Sequence, residues 1–506
     1  MDATAAIYRF ARFAEEKGLI ETVDFNYTVN RLLDALKMDA PGECPDEEPR
    51  PVPETATAIL DELCDCAVEK GIIEDTQTCR DLFGDRLCGL ITPSPAEVRT
   101  RFRSLYKHSP KEATDWFYQM CRAVNYIKVD RVAKNVRFFQ DTPAGELEIT
   151  INLSKPEKDP KDIAALRNRV SVSYPKCMLC VENPGYAGRL DFPARQNHRI
   201  VPILLDGDAW YMQYSPYLYY DEHTIVLNCR HTPMCISRQT FLRLFDFVDK
   251  FPHYMLGSNA DLPIVGGSIL THDHFQGGAY TFPMDRAGDE FMLDSGAEGV
   301  TASVVNWPMT CIRLKSRDRG ALTDLAEKML TAWRAWSDPA CGILAETDQP
   351  HNTITPIARK TDGEYKLDLV LRNNRTTDEH PLGLFHPHAD LHHVKKENIG
   401  LIEVMGLFIL PGRLVNELNG VSAYLTGKET VLPDADSPIF KHTVWINELT
   451  ARFGTANTEA GAQKILRGAL GEKCARVLQD AGVYKQTPEG REGLMRFLRS
   501  IGMERA

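Results

Sequence analysis

The chain lacks any run of about eighteen apolar residues, so nothing in it is long enough to read as a membrane-spanning helix. It also lacks an excess of positive charge. With 59 Lys and Arg against 70 Asp and Glu, the formal net charge is -11, which excludes a general nucleic-acid or anionic-membrane surface and means that an anionic substrate needs a local basic pocket. The first twenty residues, MDATAAIYRFARFAEEKGLI, carry charges every few positions and no unbroken apolar stretch, so no secretory signal is expected and the reading is cytoplasmic. Thirteen cysteines, an odd number scattered along a long chain, argue for reduced thiols over a disulfide framework. Of these, Cys177-Met-Leu-Cys180 has metal-ligand spacing, whereas Cys64-Asp-Cys66 is too close for a metal knuckle and reads as helix core.

What is present suffices for a large core: 506 residues, 43% apolar and 25% charged, in two to four domains as a soft expectation. Residues 1–125 read as helical, with Ser94-Pro-Ala-Glu97 and Ser109-Pro-Lys-Glu112 each placing an N-cap serine, an N1 proline and an N3 glutamate. A Pro- and acid-rich loop, APGECPDEEPRPVPET, interrupts this region. From about residue 126 the β-branched and aromatic runs VRFFQD, ELEITINL, RIVPILL, AWYMQYS and HTIVLNC predict an antiparallel sheet, with DGD at 206–208 as a tight turn. Ser237 opens a helix whose stripe Phe241, Leu244, Phe245 and Val248 is core. A second strand-rich stretch follows (TCIRLK, NTITPIA, YKLDLVLRN, NIGLIEVMGLFIL), broken by a helix over 321–337, and its order hints at a duplicated unit. Past 414 the chain reads as helical again, with Ile465, Leu466, Ala469, Leu470, Val477 and Leu478 on one face.

The densest chemistry is GGSILTHDHFQGG at 266–278. If ILTHDHF is a strand, His272 and His274 share a face and Asp273 takes the other. Buried as plain core, two imidazoles would need partners for up to four ring nitrogens, about what a Gly-Gly frame supplies least well. A metal reading finds that Thr271-His272-Asp273-His274 copies half of a two-metal hydrolase motif. Gln276 and Gly277 then stand where an aspartate and a histidine are required, which leaves a metal-dependent hydrolase as the weaker enzyme alternative. A nucleophile reading uses every residue: a neutral imidazole attacks a phosphorus and can leave again, while Gln276 and the backbone of Gly277-Gly278 offer donors to phosphoryl oxygens.

The motif resembles H-x-H-x-Q of the galactose-1-phosphate uridylyltransferases in the histidine-triad superfamily. VENPGYAGR at 181–189 and HHVKKENIGLIEVMG at 392–406 resemble the divergent second class of that family, although Asp273 and Phe275 replace the usual proline and glycine. The resemblance covers roughly 125–415. It implies an α+β fold of two histidine-triad-like antiparallel units, at 126–300 and 301–414, flanked by helical regions at 1–125 and 415–506. It implies transfer of UMP from UDP-glucose to galactose 1-phosphate in a ping-pong cycle, with His274 as nucleophile and Gln276 stabilising the adduct. A related nucleotidyl phosphorylase or hydrolase would share the fold.

The resemblance also implies a structural zinc, with iron as the other candidate, on Cys177, Cys180, His231 and His272. Substrate contacts carried over are Asn197, Asn259 and Ser268, with Glu403 for sugar hydroxyls; Gly277 and Gly278 join them through their backbone donors, and Lys395 and Lys396 are expected at the hexose phosphate because a chain of net negative charge must gather cations locally. Ser268 stands one residue farther from His272 than in the family pattern. A homodimer is expected. The strand YKLDLVLRN has Asp368 and Val370 where a second H-x-H would stand, so one catalytic dyad is expected. His386, His388, His392 and His393 in FHPHADLHH read as a loop without an assigned role.

Overall fold

The computed structural model describes residues 3–42, 53–143, 145–154 and 172–506. Most of the Pro- and acid-rich loop, at 43–52, lies outside the described residues. Two compact units emerge, Met1–Lys134 with Ser154–Thr232, and Asn135–Leu153 with Pro233–Ala506. They cut across the four expected segments: 126–300 is divided between them, and 301–506 falls in one. Among the described residues no helix is long and apolar enough to cross a membrane.

The first unit opens with the expected helices. Ser94 accepts from Glu97 N while Glu97 Oε2 accepts from Ser94 N at 2.6 Å, closing a capping box on Pro95–Tyr106, and Ser109 caps Pro110–Ala123. Cys64 and Cys66 are buried in Thr57–Glu69, as core packing requires. The strands Val201–Leu205, Asp208–Tyr214 and Thr224–Asn228 form an antiparallel meander. Asp206 and Gly207 both take positive φ, 49° and 81°, the geometry of a two-residue hairpin turn whose twist suits the flanking strands. Trp210, Met212 and Tyr214 turn inward from alternate positions, and Tyr214 Oη donates to Thr114 O at 3.0 Å, tying the meander to Pro110–Ala123.

In the second unit the paired strands run in the order Glu504–Arg505, Asp289–Asp294, Thr301–Val305, Cys311–Ser316, Glu364–Asn373, Asn352–Thr361, Met255–Gly257, His274–Gly278, each antiparallel to its neighbour. Ser237 caps Arg238–Lys250, whose stripe Phe241, Leu244, Phe245 and Val248 is fully buried. Each such side chain contributes about 1.5–3 kcal/mol by leaving water, more than the helix's own propensity could supply. The α+β reading therefore holds.

Two local expectations change. VRFFQD and ELEITINL do form a hairpin, Val136–Thr142 with Gly145–Asn152, but the third strand of that sheet, Leu407–Pro411, runs parallel to the second. NIGLIEVMGLFIL is thus not one strand. It splits into the short helix Leu401–Val404 and the strand Leu407–Pro411, with Gly406 at φ 95° making the turn between them. The C-terminal helices Leu414–Leu425, Thr443–Phe453, Glu459–Ala481 and Pro488–Ser500 appear as expected, with Leu466, Ala469, Leu470, Val477 and Leu478 buried and Ile465 half-buried.

Candidate active site

His274 begins its strand, and the residues before it do not belong to one. The paired segment is His274–Gly278, with Gly257 opposite Gln276, Leu256 opposite Gly277 and Met255 opposite Gly278. Residues 269–273 are irregular, so the shared-face argument for His272 and His274 does not apply as stated. A different constraint replaces it. His274 Nδ1 lies 2.8 Å from the carbonyl oxygen of His272. A carbonyl can only accept, so Nδ1 carries the proton and the lone pair resides on Nε2. The ring is 5% exposed, and this burial pushes its pKa down to about 4, which keeps the imidazole neutral at pH 7.

The glycines have a packing reason as well as a chemical one. A Cβ at Gly277 would sit 2.2 Å from the carbonyl oxygen of Met255, so only glycine lets the two strands approach. Gly278 takes φ 149°. Asp273, between the histidines, lies 3.8 Å from the guanidinium of Arg243.

The sulfur and nitrogen donors of Cys177, Cys180, His231 and His272 all lie within 4.8 Å of one another and could hold a metal ion. Cys177 Sγ and Cys180 Sγ are 3.5 Å apart, and Cys180 Sγ is 3.1 Å from His231 Nδ1. A tetrahedron with bonds of about 2.0–2.3 Å has edges of about 3.3–3.8 Å; the Cys177–Cys180 separation falls in that range and the Cys180–His231 separation just below it. Asn183 braces the loop, its Nδ2 donating to Cys177 O at 2.9 Å and Cys180 O at 2.8 Å.

The residues expected to touch substrate are placed unevenly. In the second unit, Asn259 Oδ1 accepts from Leu401 N at 2.8 Å, while a Cβ at Gly267 would meet Asn259 Nδ2 at 2.8 Å. Gly400, beside Leu401, brings its own Cβ position to 3.2 Å from Asn259 Oδ1 and 3.4 Å from Glu403 Oε2, so Asn259 and Glu403 stand together. Lys395 joins them by donating to Glu403 Oε1 at 2.9 Å. That ion pair is buried and gives Lys395 a carboxylate of its own. Lys396 and Ser268 are exposed. In the first unit Asn197 is buried, with Nδ2 donating to Val124 O at 3.0 Å and Asp85 Oδ1 at 3.2 Å.

Arg372 is a residue the sequence did not single out. It is 1% exposed, donates from Nη2 to Ile399 O at 2.8 Å, and its Nε has no partner. Burial pulls its pKa down to about 10, with the nearby charge of Glu403 as the offset. The only signal available was an arginine inside an otherwise apolar strand, YKLDLVLRN. His386, His388 and His392 hold loop carbonyls: Nδ1 of His386 and Nε2 of His392 lie 3.2 and 2.8 Å from Pro387 O, and His388 Nε2 lies 3.2 Å from Leu384 O. His393 Nδ1 meets His442 Nδ1 at 2.7 Å, and His442 Nε2 meets Glu417 at 3.0 Å.

Comparison with known proteins gives a consistent result. A family model described as galactose-1-phosphate uridyl transferase, N-terminal domain, matches residues 18–233, and its C-terminal counterpart matches 247–434. The galactose-1-phosphate uridylyltransferase of Caldanaerobacter subterraneus subsp. tengcongensis is 49% identical over 517 aligned residues, covering 100% of this chain and 99% of that one. The enzyme of the same name from Bacillus subtilis is 47% identical over 503 residues, 96% of this chain and 95% of its own. Among solved structures, yeast Ap4A phosphorylase Apa2 aligns with a TM-score of 0.33 and 12% identity over 58% of this chain and 92% of that chain, a likeness too slight to bear on the fold.

Proposed function

Given that this chain belongs to the galactose-1-phosphate uridylyltransferase family, we propose that His274 is the group that carries UMP from one sugar phosphate to the other. The enzyme is a nucleotidyltransferase of galactose metabolism that moves UMP from UDP-glucose to galactose 1-phosphate, giving UDP-galactose and glucose 1-phosphate. The observation that supports His274 most directly is its hydrogen bond from Nδ1 to the His272 carbonyl, which leaves Nε2 as the lone-pair nitrogen.

In the first half-reaction Nε2 attacks the α-phosphorus of UDP-glucose. An N–P bond forms, the bond from phosphorus to the bridging oxygen breaks, and glucose 1-phosphate leaves with the electron pair. In the second half, a phosphate oxygen of galactose 1-phosphate attacks the same phosphorus and the imidazole leaves neutral. The Nδ1–H bond to a fixed carbonyl steadies the positive charge that the ring bears while uridylylated. Gln276, two residues on along the strand, donates its amide to the phosphoryl oxygens. Gln276→Ala lowers kcat by about 10²–10³-fold, the usual cost of removing one such donor. Pre-steady-state formation of the adduct, followed by intact-protein mass, measures this directly; an unchanged rate would remove Gln276 from the mechanism.

Cys177, Cys180, His231 and His272 would hold the metal, zinc by preference for this donor set and iron as the other candidate. Bound there with four protein ligands, it supplies a rigid tie and no open position. It would thereby fix His272, whose carbonyl orients the nucleophile. Cys180→Ser should reduce stoichiometric metal, measured by inductively coupled plasma mass spectrometry, to a small fraction, and lower the thermal midpoint. Full metal retention in that variant would remove Cys180 from the ligand set. Asn259, Glu403, Lys395 and Arg372 form a polar cluster in the second unit that suits the sugar phosphate, and the family resemblance assigns Asn197 to the uridine. The cytoplasmic homodimer is part of the same reading, and light scattering at micromolar concentration tests the dimer.

A further inference from the structure

The first unit contains a cavity of about 190 Å³ in which, among the described residues, the lining cations outnumber the carboxylates. Four cations line it, and three of them are matched. Lys128 pairs with Asp85, Arg131 Nη1 donates to Asp81 at 2.8 Å, and Arg189 Nε lies 2.6 Å from Asp191. The fourth, Arg195, forms no ion pair with a carboxylate among the described residues; Asp85 feels its charge but is already paired with Lys128. It is 8% exposed, its Nε has no hydrogen-bond partner, and its nearest polar contact is Nη2 to Met178 Sδ at 3.8 Å. Its guanidinium stands 5.7 Å from the centroid of Tyr126, which lines the cavity with Phe192 and Tyr217.

The backbone around Arg195 is built, not incidental. Arg195 N donates to Tyr186 O at 2.7 Å and its carbonyl accepts from Gly185 N at 2.8 Å, so VENPGYAGR folds back on the segment that carries it. Gly188, at φ 78°, would place a Cβ 2.5 Å from Ala194 N, and only glycine allows that approach. A buried, unpaired guanidinium is costly unless something completes it.

We infer that this cavity binds a small flat monocarboxylate, with the carboxylate forked onto Arg195 and the flat face against the aromatic wall. Size and charge select this class. A cavity of about 150 Å³ accommodates a benzene ring, so the space here suits one ring with its substituent. Among the described residues the lining holds one cation more than carboxylates, and one negative charge closes that difference. A phosphate monoester brings about -1.5 to -2 at neutral pH and would leave the cavity over-neutralised. The planar fork of arginine matches a carboxylate in two parallel hydrogen bonds.

Benzoate is the probe, titrated calorimetrically into the full chain, into Arg195→Met, and into Arg195→Lys, which keeps the charge and loses the fork. The expected result is saturable benzoate binding that weakens by about 10–100-fold in Arg195→Met and by an intermediate factor in Arg195→Lys, with inorganic phosphate bound more weakly than benzoate. Equal benzoate affinity in wild type and Arg195→Met overturns the site. So does tighter binding of phosphate than of benzoate, absence of benzoate binding to the wild type, or displacement of benzoate by UDP-glucose, which would make the cavity part of the nucleotide site. If Arg195→Met does not fold, the Arg195→Lys titration and the benzoate-to-phosphate contrast decide.

Discussion

His274→Ala abolishes UMP transfer, with kcat falling by about 10⁴–10⁶-fold, the range seen when a covalent nucleophile is removed and only binding and positioning remain. The size of the effect follows from the chemistry. Without Nε2 the two anionic sugar phosphates would have to meet directly in one step, each repelling the other. Two observables separate loss of the nucleophile from loss of fold. Wild type incubated with UDP-glucose alone gains the mass of one uridylyl group and releases glucose 1-phosphate in a stoichiometric burst; His274→Ala does neither while keeping its circular dichroism and its metal. A variant that still released glucose 1-phosphate in a burst would show that another side chain carries the group. His272→Ala should behave differently, losing metal as well as activity, because in the proposed ligand set its ring would hold the metal while only its carbonyl meets His274.

The candidate site's residues stood out in the sequence, but the backbone geometry around His274 did not. Period-two alternation put His272 and His274 on one face of a strand. In a regular strand, however, a carbonyl lies in the sheet plane while the side chain two residues on projects out of it, so the bond between His272 O and His274 Nδ1 would not form. The irregular backbone at 269–273 is what brings them together, and no local pattern announces it. Sequence likewise shows charge without showing its partner. Lys395 read as a phosphate contact because a chain of net negative charge must gather cations locally, and the fold gives its ammonium a buried partner in Glu403, eight residues on. Arg372 was invisible for the converse reason: one polar residue in LDLVLRN looks like an exception to an apolar strand, and only the fold shows it buried, with Glu403 as the nearby charge.

Fold class followed the same logic at larger scale. Helix starts were sharp wherever a capping serine preceded proline, since those signals are chemical and local. The parallel strand Leu407–Pro411 and the division of 126–300 between two compact units depend on contacts across hundreds of residues. The hairpin 136–152 illustrates this. Its apolar residues Leu147, Ile149 and Ile151 are buried, and its strand partner Leu407–Pro411 and the helix Glu459–Ala481, where Gly471 lies against Gln140, both come from far along the chain.

Asp368→Ala destabilises the second unit by about 3–5 kcal/mol, the cost of leaving a buried guanidinium without its counter-charge. Asp368 stands where the resemblance to the family would put a histidine of a second H-x-H. Here it faces Arg313 directly across two paired strands, Cys311–Ser316 and Glu364–Asn373. Arg313 Nε donates to Asp368 Oδ1 at 2.7 Å and Nη2 to Oδ2 at 3.0 Å, and the remaining guanidinium donors reach Ala287 O and Met284 O at 3.0 Å. Both side chains are at most 5% exposed, so water cannot replace the lost carboxylate. The pair therefore acts as a clamp joining the sheet to Pro283–Arg286 and Ala287. Chemical denaturation followed by tryptophan fluorescence measures the change, with Trp307 and Trp333 buried in this unit. The double variant Arg313→Met with Asp368→Leu recovers most of the loss, because an apolar pair of similar volume leaves no charge stranded. If Asp368→Ala cost under about 1 kcal/mol, the ion pair would be no more than a surface-type contact. If the double variant were less stable than Asp368→Ala, the carbonyls of Met284 and Ala287, and not the carboxylate, would be what Arg313 is there to hold.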